Sequence, residues 1–148
     1  MKTQKTTLKE LCKVILTKLK NQGLVECPVS SRQLIWDELF QLVHSMVLTD
    51  EDLKNQTLEK LGAETQYSPD TELTQTQQYF VAKSIVRKSY VHGELNGFYF
   101  KETPRDVAQK ILDYFMCSPH VEEVYGTDDD FRKCILFVFK NFNPKHLH

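Results

Sequence analysis

No apolar stretch in this 148-residue sequence is long enough to cross a bilayer, and its start lacks the charged, apolar and small-residue order of a secretory leader. A membrane span is excluded, and a cytoplasmic location is expected. The four cysteines, Cys12, Cys27, Cys117 and Cys134, never form a C-x-x-C pair. No expected helix holds a Cys and a His three or four residues apart. Neither a disulfide framework nor a metal site follows, and no cofactor is implied. A glycine-rich phosphate loop, a nucleophile elbow and an H-E-x-x-H pair are also missing. The net charge of -1 exerts no global pull toward nucleic acid or anionic lipid, so any electrostatic function is local.

What is present is an ordinary globular composition, 41% apolar and 26% charged, in a chain long enough to bury roughly two thirds of its unfolded surface as one domain. Charge is segregated along it. Residues 1 to 20 carry six lysines against Glu10, and residues 101 to 130 carry eight acids against Lys101, Arg105 and Lys110. Either both segments are solvated helix faces or the two ends attract each other.

Residues 8 to 46 and 104 to 142 read as one helix-loop-helix written twice, at a constant offset of 96 without a gap. Ile15 and Leu16 fall on Ile111 and Leu112, Leu19 on Phe115, and Val25 and Glu26 on Val121 and Glu122. Ile35 falls on Phe131, Leu39 on Ile135, Leu42 on Val138 and Met46 on Phe142. The two ends should therefore pack alike.

Apolar residues at three- and four-residue spacing predict a first helix from Thr6 or Thr7 to Gln22, stopped by Gly23. A tight connection leads to a second helix, capped by Ser30 or Ser31 and running to about Val47, with two apolar stripes. His44 sits in its polar stripe, with no evident acidic partner. Thr49 and Asp52 have capping-box spacing before a third helix to Leu61. Residues 63 to 77 read as a polar loop, and a basic fourth helix spans about 76 to 92. Asn96 and Gly97 signal a turn, and Phe98, Tyr99 and Phe100 a short extended piece, too little for a sheet. Thr103 and Pro104 begin a fifth helix that breaks at Ser118 and Pro119. Residues 121 to 125 read as another helical turn. Thr127 caps a last helix to Phe142, whose apolar run from Cys134 to Phe139 wraps it all round. Either that helix is central or part of it is meant for a partner. The fold class expected is all-α, a compact single-domain bundle of about six helices over residues 1 to 148.

Ile111, Leu112, Asp113, Tyr114, Phe115 and Met116, then Ser118, then Val121, Glu122, Glu123, Val124, Tyr125 and Gly126, then Asp128, Asp129, Phe131, Arg132 and Lys133, resemble the C-terminal signature of the bacterial domain-of-unknown-function family 507. About 40 residues carry the likeness, and the first helix pair with Gly23, Leu24, Val25 and Glu26 is also similar. The long polar insertion at 63 to 77 departs from the compact middle expected of the family. The resemblance implies an all-helical bacterial protein and brings no reaction, cofactor or catalytic residue.

Function has three readings. The first is a non-catalytic helical interaction module, an assembly or regulatory component, binding another protein or a second copy through Trp36, Phe40, Leu136 and Phe137. The alternative is nucleic-acid binding by the basic helix, where Tyr79, Lys83, Arg87 and Tyr90 recur at helical spacing with Lys88 beside them. The third is an enzyme using His120 with Glu122, Glu123, Asp128, Asp129 or Asp130. Carboxylates at a helix start are already explained as caps and dipole charges, so no catalytic residue is assigned.

Overall fold

Both hairpins of helices form as the repeat implies. In the structure, a computed structural model that describes residues 3–64, 75–90 and 92–143, α1 (Lys5–Asn21) and α2 (Arg32–Met46) make the first and α5 (Pro104–Cys117) and α6 (Asp128–Asn141) the second. Side chains are described for these residues except 63, 64, 75, 89 and 90. Burial follows the offset. Leu11, Cys12, Ile15, Leu16 and Leu19 are buried on α1, and their counterparts Val107, Ala108, Ile111, Leu112 and Phe115 are buried on α5. Ile35, Leu39, Val43 and Met46 likewise match Phe131, Ile135, Phe139 and Phe142. Helix α1 packs on α2 and α6, and α5 packs on α6 and α2, which closes a ring of four around one core. Swapping the two hairpins maps this ring onto itself, as a pseudo-two-fold axis requires.

The two links are paired with each other. Strand β1 (Val25–Glu26) runs antiparallel to β5 (Glu123–Val124), with Val25 opposite Val124 and Glu26 opposite Glu123. Raising Val25 by 96 and lowering Val124 by 96 gives Val121 opposite Pro28, the pair this register would reach two steps further on. The ladder therefore sits on the pseudo-axis. This corrects the helical turn expected at residues 121 to 125. An isolated turn of helix earns one hydrogen bond for three ordered residues, whereas here the Glu122 and Tyr125 amides donate to the Glu26 and Leu24 carbonyls at 2.8 Å each.

Local signals explain the helix ends. Helix α1 closes in a Schellman motif, with the Leu24 amide donating to the Leu19 carbonyl, the Gly23 amide to the Lys20 carbonyl, and Gly23 at φ +70. Thr103 caps α5 through the Asp106 amide with Pro104 at the first position, and Thr127 and Asp130 form a capping box on α6. Thr49 and Asp52 do the same for the third helix. Ser31 occupies the cap of α2 but makes no side-chain bond there; a 3-10 turn, Val29–Ser31, leads in instead.

Between the hairpins lie β2 (Val47–Leu48), α3 (Asp50–Glu64), α4 (Gln75–Tyr90), β3 (Glu94–Leu95) and β4 (Phe98–Phe100). Of the expected polar loop at 63 to 77, residues 65–74 lie outside the described ones, and its flanks belong to α3 and α4. The short strands form an antiparallel sheet in the order β2-β4-β3, which overturns the expectation that three residues are too few. Alternation along β4 is the reason. Phe98 and Phe100 enter the four-helix core, meeting Phe142 and Phe139 at ring distances of 5.7 and 5.1 Å. Tyr99 turns the other way, into a second small core with Leu48, Leu53 and Val86. The sheet is a wall between two interiors. Asn96 at φ 54 and Gly97 at φ 84 make the two-residue hairpin turn, in which both positions need positive φ.

A Cβ on Gly97 would lie 2.8 Å from Thr3 Cγ2, while one on Gly23 would meet nothing within 4 Å. Gly97→Ala should therefore lose about 2 kcal/mol, and Gly23→Ala less, in urea unfolding followed by Trp36 fluorescence. Equal losses at the two sites would contradict the close approach of residue 3 to the turn.

Candidate functional site

Three of the four expected anchors are covered. Phe40 is buried, only 9% exposed, which corrects its assignment as an exposed anchor; Trp36 and Leu136 are half-buried against the core. Three α1 lysines lie over aromatic rings. Lys9 Nζ lies 5.2 Å from the Phe40 ring centre, Lys13 Nζ 5.1 Å from Trp36, and Lys18 Nζ 4.9 Å from Phe137. Lysine stems lie over apolar ground and keep their heads wet, and the ammonium gains a ring face. Lys9, Lys13 and Lys18 are thus engaged with aromatics rather than with the acidic segment at 101 to 130; the one α1 ion pair among the described residues is Lys13 with Glu10, at 3.6 Å. Only Phe137 stays open, at 54% exposure.

The basic helix places its residues on different faces. Tyr79 and Lys83 are half-buried, Arg87 and Lys88 are exposed, and the side chain of Tyr90 lies outside the described ones. Arg87 is ion-paired with Glu94 and lies 5.5 Å above the Tyr99 ring, so its charge is already used within the fold. The opposite face holds what the sequence reading missed. Phe80 is 62% exposed, Val81 50% and Ile85 40%, with Ser84 and Lys88 between and beyond them on the same side. Residues at i, i+1, i+4, i+5 and i+8 share a helix face. That spacing was available in the sequence, but the cations at the same period drew the reading instead.

The acidic and histidine candidates resolve into structural roles. Asp130 caps α6, and Asp129 pairs with Arg132 at 2.5 Å. Glu122 and Glu123 lie in and beside β5 and are exposed. His120 meets none of them; its Nε2 is 3.0 Å from Glu38 on α2. The hydroxyl of Tyr114 lies beside Ser118 and Glu38 without reaching hydrogen-bond geometry with either. Burial pushes that phenol up, with Ser118 drawing it back and Glu38 adding to the rise. This cluster has an equivalent across the pseudo-axis. The repeat sets Tyr114, Ser118 and His120 in register with Lys18, Gln22 and Leu24, and Glu38 with Cys134. Those counterparts line a cavity of about 460 Å³ between α1 and α6. Among the described residues no three His, Cys, Asp or Glu side chains gather in a metal-binding group. All four cysteines are free, and burial pushes the Cys12 thiol up to about 12.

His44 does have a partner, contrary to its expected isolation. Its Nε2 lies 3.2 and 3.3 Å from the Asp52 oxygens, and its ring stacks on Phe40 with centres 5.4 Å apart. Burial raises the Asp52 pKa, but the Thr49 amide, His44 and the Thr49 hydroxyl together pull it below the ordinary carboxylate value. No protein-family model, curated protein or solved structure matches the chain.

A carboxylate depressed in the folded state contributes stability that is present above its unfolded pKa and lost as pH falls through the folded one. Asp52 should therefore contribute above about pH 4 and lose its effect below. Asp52→Asn is expected to cost about 1 kcal/mol near neutrality and to flatten the loss of stability below pH 4. Urea midpoints from pH 2.5 to 6 check this; parallel curves for the two proteins would count against it.

Proposed function

We propose that the protein is a non-catalytic interaction module whose binding element is the α3–α4 hairpin, and that its partner is an acidic amphipathic helix of another protein. One observation carries the reading: Phe80, Val81 and Ile85 form an exposed apolar stripe on α4, at exposures of 62, 50 and 40%. Large apolar side chains held together on a helix face mark partner sites more than scattered ones do. Helix α4 has no acid, and Lys88 sits exposed at the end of the stripe. A partner helix with an apolar stripe flanked by carboxylates matches both features. Helices α3 and α4 pack on a small core of their own, and the stripe lies on the outer face of α4, so a partner can dock there without entering the four-helix ring.

The test is capture from the native lysate, with and without nuclease, using the wild-type chain and a Phe80→Asp, Ile85→Asp double variant. Both substituted positions are exposed, so the variant should keep its helical signal and melting temperature. The expected result is a protein retained by the wild type, insensitive to nuclease and lost with the variant. Capture that survives in the variant, or that nuclease abolishes, would overturn the proposal, the second outcome favouring nucleic acid.

A further inference from the structure

The cavity between α1 and α6 differs from its pseudo-equivalent in a way that points to a ligand. In the groove between α5 and α2, His120 pairs with Glu38 at 3.0 Å, and the buried Tyr114 hydroxyl lies beside Ser118 and Glu38 without a hydrogen bond to either. Across the pseudo-axis the same positions hold Lys18, Gln22, Leu24 and Cys134, with Lys133 and Phe137 completing the wall. Neither Lys18 nor Lys133 forms an ion pair among the described residues. The rim carboxylate, Asp130, is committed to its capping box, accepting from the Thr127 amide at 3.3 Å. One groove thus holds an ion pair of its own, and the other is left open and cationic.

The open groove has two unlike walls. Lys18 and Lys133 supply positive charge; Phe137, 54% exposed with Lys18 over its face, and the buried Leu24 supply an apolar surface. A volume of about 460 Å³ falls in the range of small-molecule sites, about 300–1,000 Å³. A bare anion would leave the ring wall wet, and a neutral ring would leave the two cations unpaired. We propose that this groove binds a small aromatic acid, its anionic group between Lys18 and Lys133 and its ring against Phe137 and Leu24. Asp130 on the same rim disfavours a second negative charge, so a monoanion fits better than a dianion.

The site stands apart from the α4 stripe, and failure of either idea leaves the other intact. The probes are 2-naphthoate, acetate and 2-naphthalenemethanol, titrated into the full-length chain and followed by amide NMR shifts. Acetate and the alcohol each carry half of the proposed recognition. 2-Naphthoate is expected to shift amides around Lys18 and Phe137, and to bind at least about tenfold more tightly than either half probe. Lys133→Ala and Phe137→Ala, both at exposed positions, should each weaken it about tenfold, and Lys9→Ala should not. Equal binding of acetate, shifts centred elsewhere, unchanged affinity in Phe137→Ala, or no shift at millimolar naphthoate would each overturn the proposal.

Discussion

Two short backbone hydrogen bonds, from the Glu122 amide to the Glu26 carbonyl and from the Tyr125 amide to the Leu24 carbonyl, tie the link of one helix hairpin to the link of the other. Each hairpin has an apolar stripe that it cannot bury alone. Pairing the links antiparallel at the pseudo-axis brings the two stripes face to face, so that α1 meets α6 and α2 meets α5. Leu24, Val25 and Cys27 are then buried with the helices they connect. The ladder is small, but it sets the register of everything around it. Gly126, at φ 81, passes so close to Leu24 that a Cβ there would lie 2.8 Å from its Cδ2, which leaves little room for an alternative path.

Strands β2 and β4 attach the segment between the hairpins, Val47 of β2 entering the larger core and Leu48 the smaller. Strand β4 gives Phe98 and Phe100 to the larger core and Tyr99 to the smaller, and the Tyr99 hydroxyl donates to Asp50 Oδ1 at 2.6 Å. Thr3 closes the same corner: its hydroxyl donates to the Gly97 carbonyl at 2.6 Å and accepts from the Asp50 amide at 2.8 Å. The α3–α4 arm is anchored at this end and rests on few buried apolar groups. Elements with few such contacts open at lower free energy than the core and commonly carry binding. The division of labour follows from packing: a four-helix ring for stability, and an arm whose outer face remains unsatisfied.

The helix hairpins were legible because helical period and capping chemistry are local. Thr103 with Pro104, Thr127 with Asp130 and Asn96 with Gly97 each act within a few residues, and all three behave as their spacing implies. The extended piece at Phe98, Tyr99 and Phe100 was legible, but the other strands and the pairing were not, because their partners are remote. Val47 pairs with Phe100 and Val25 with Val124, and a two-residue strand has no period of its own. His44 was misjudged for a related reason: Asp52 lies beyond a helix end and a strand, outside any helical spacing. The anchors Trp36 and Phe40 were counted as open because sequence does not show that lysines on a neighbouring helix lie over them. The difference between the two grooves was written in the repeat itself, at Lys18 against Tyr114 and Cys134 against Glu38, but only the packing of α1 on α6 and of α2 on α5 shows that these positions face equivalent grooves.

Amide hydrogen exchange at Glu122 and Tyr125 tests this constraint most directly. If the links pair about the pseudo-axis and lock the two hairpins together, these amides exchange as slowly as those in the middle of α1 and α5. Exchange at the rate of an exposed loop, with the helices still protected, would show that the hairpins associate without the ladder and would remove the basis for treating the two grooves as a pair.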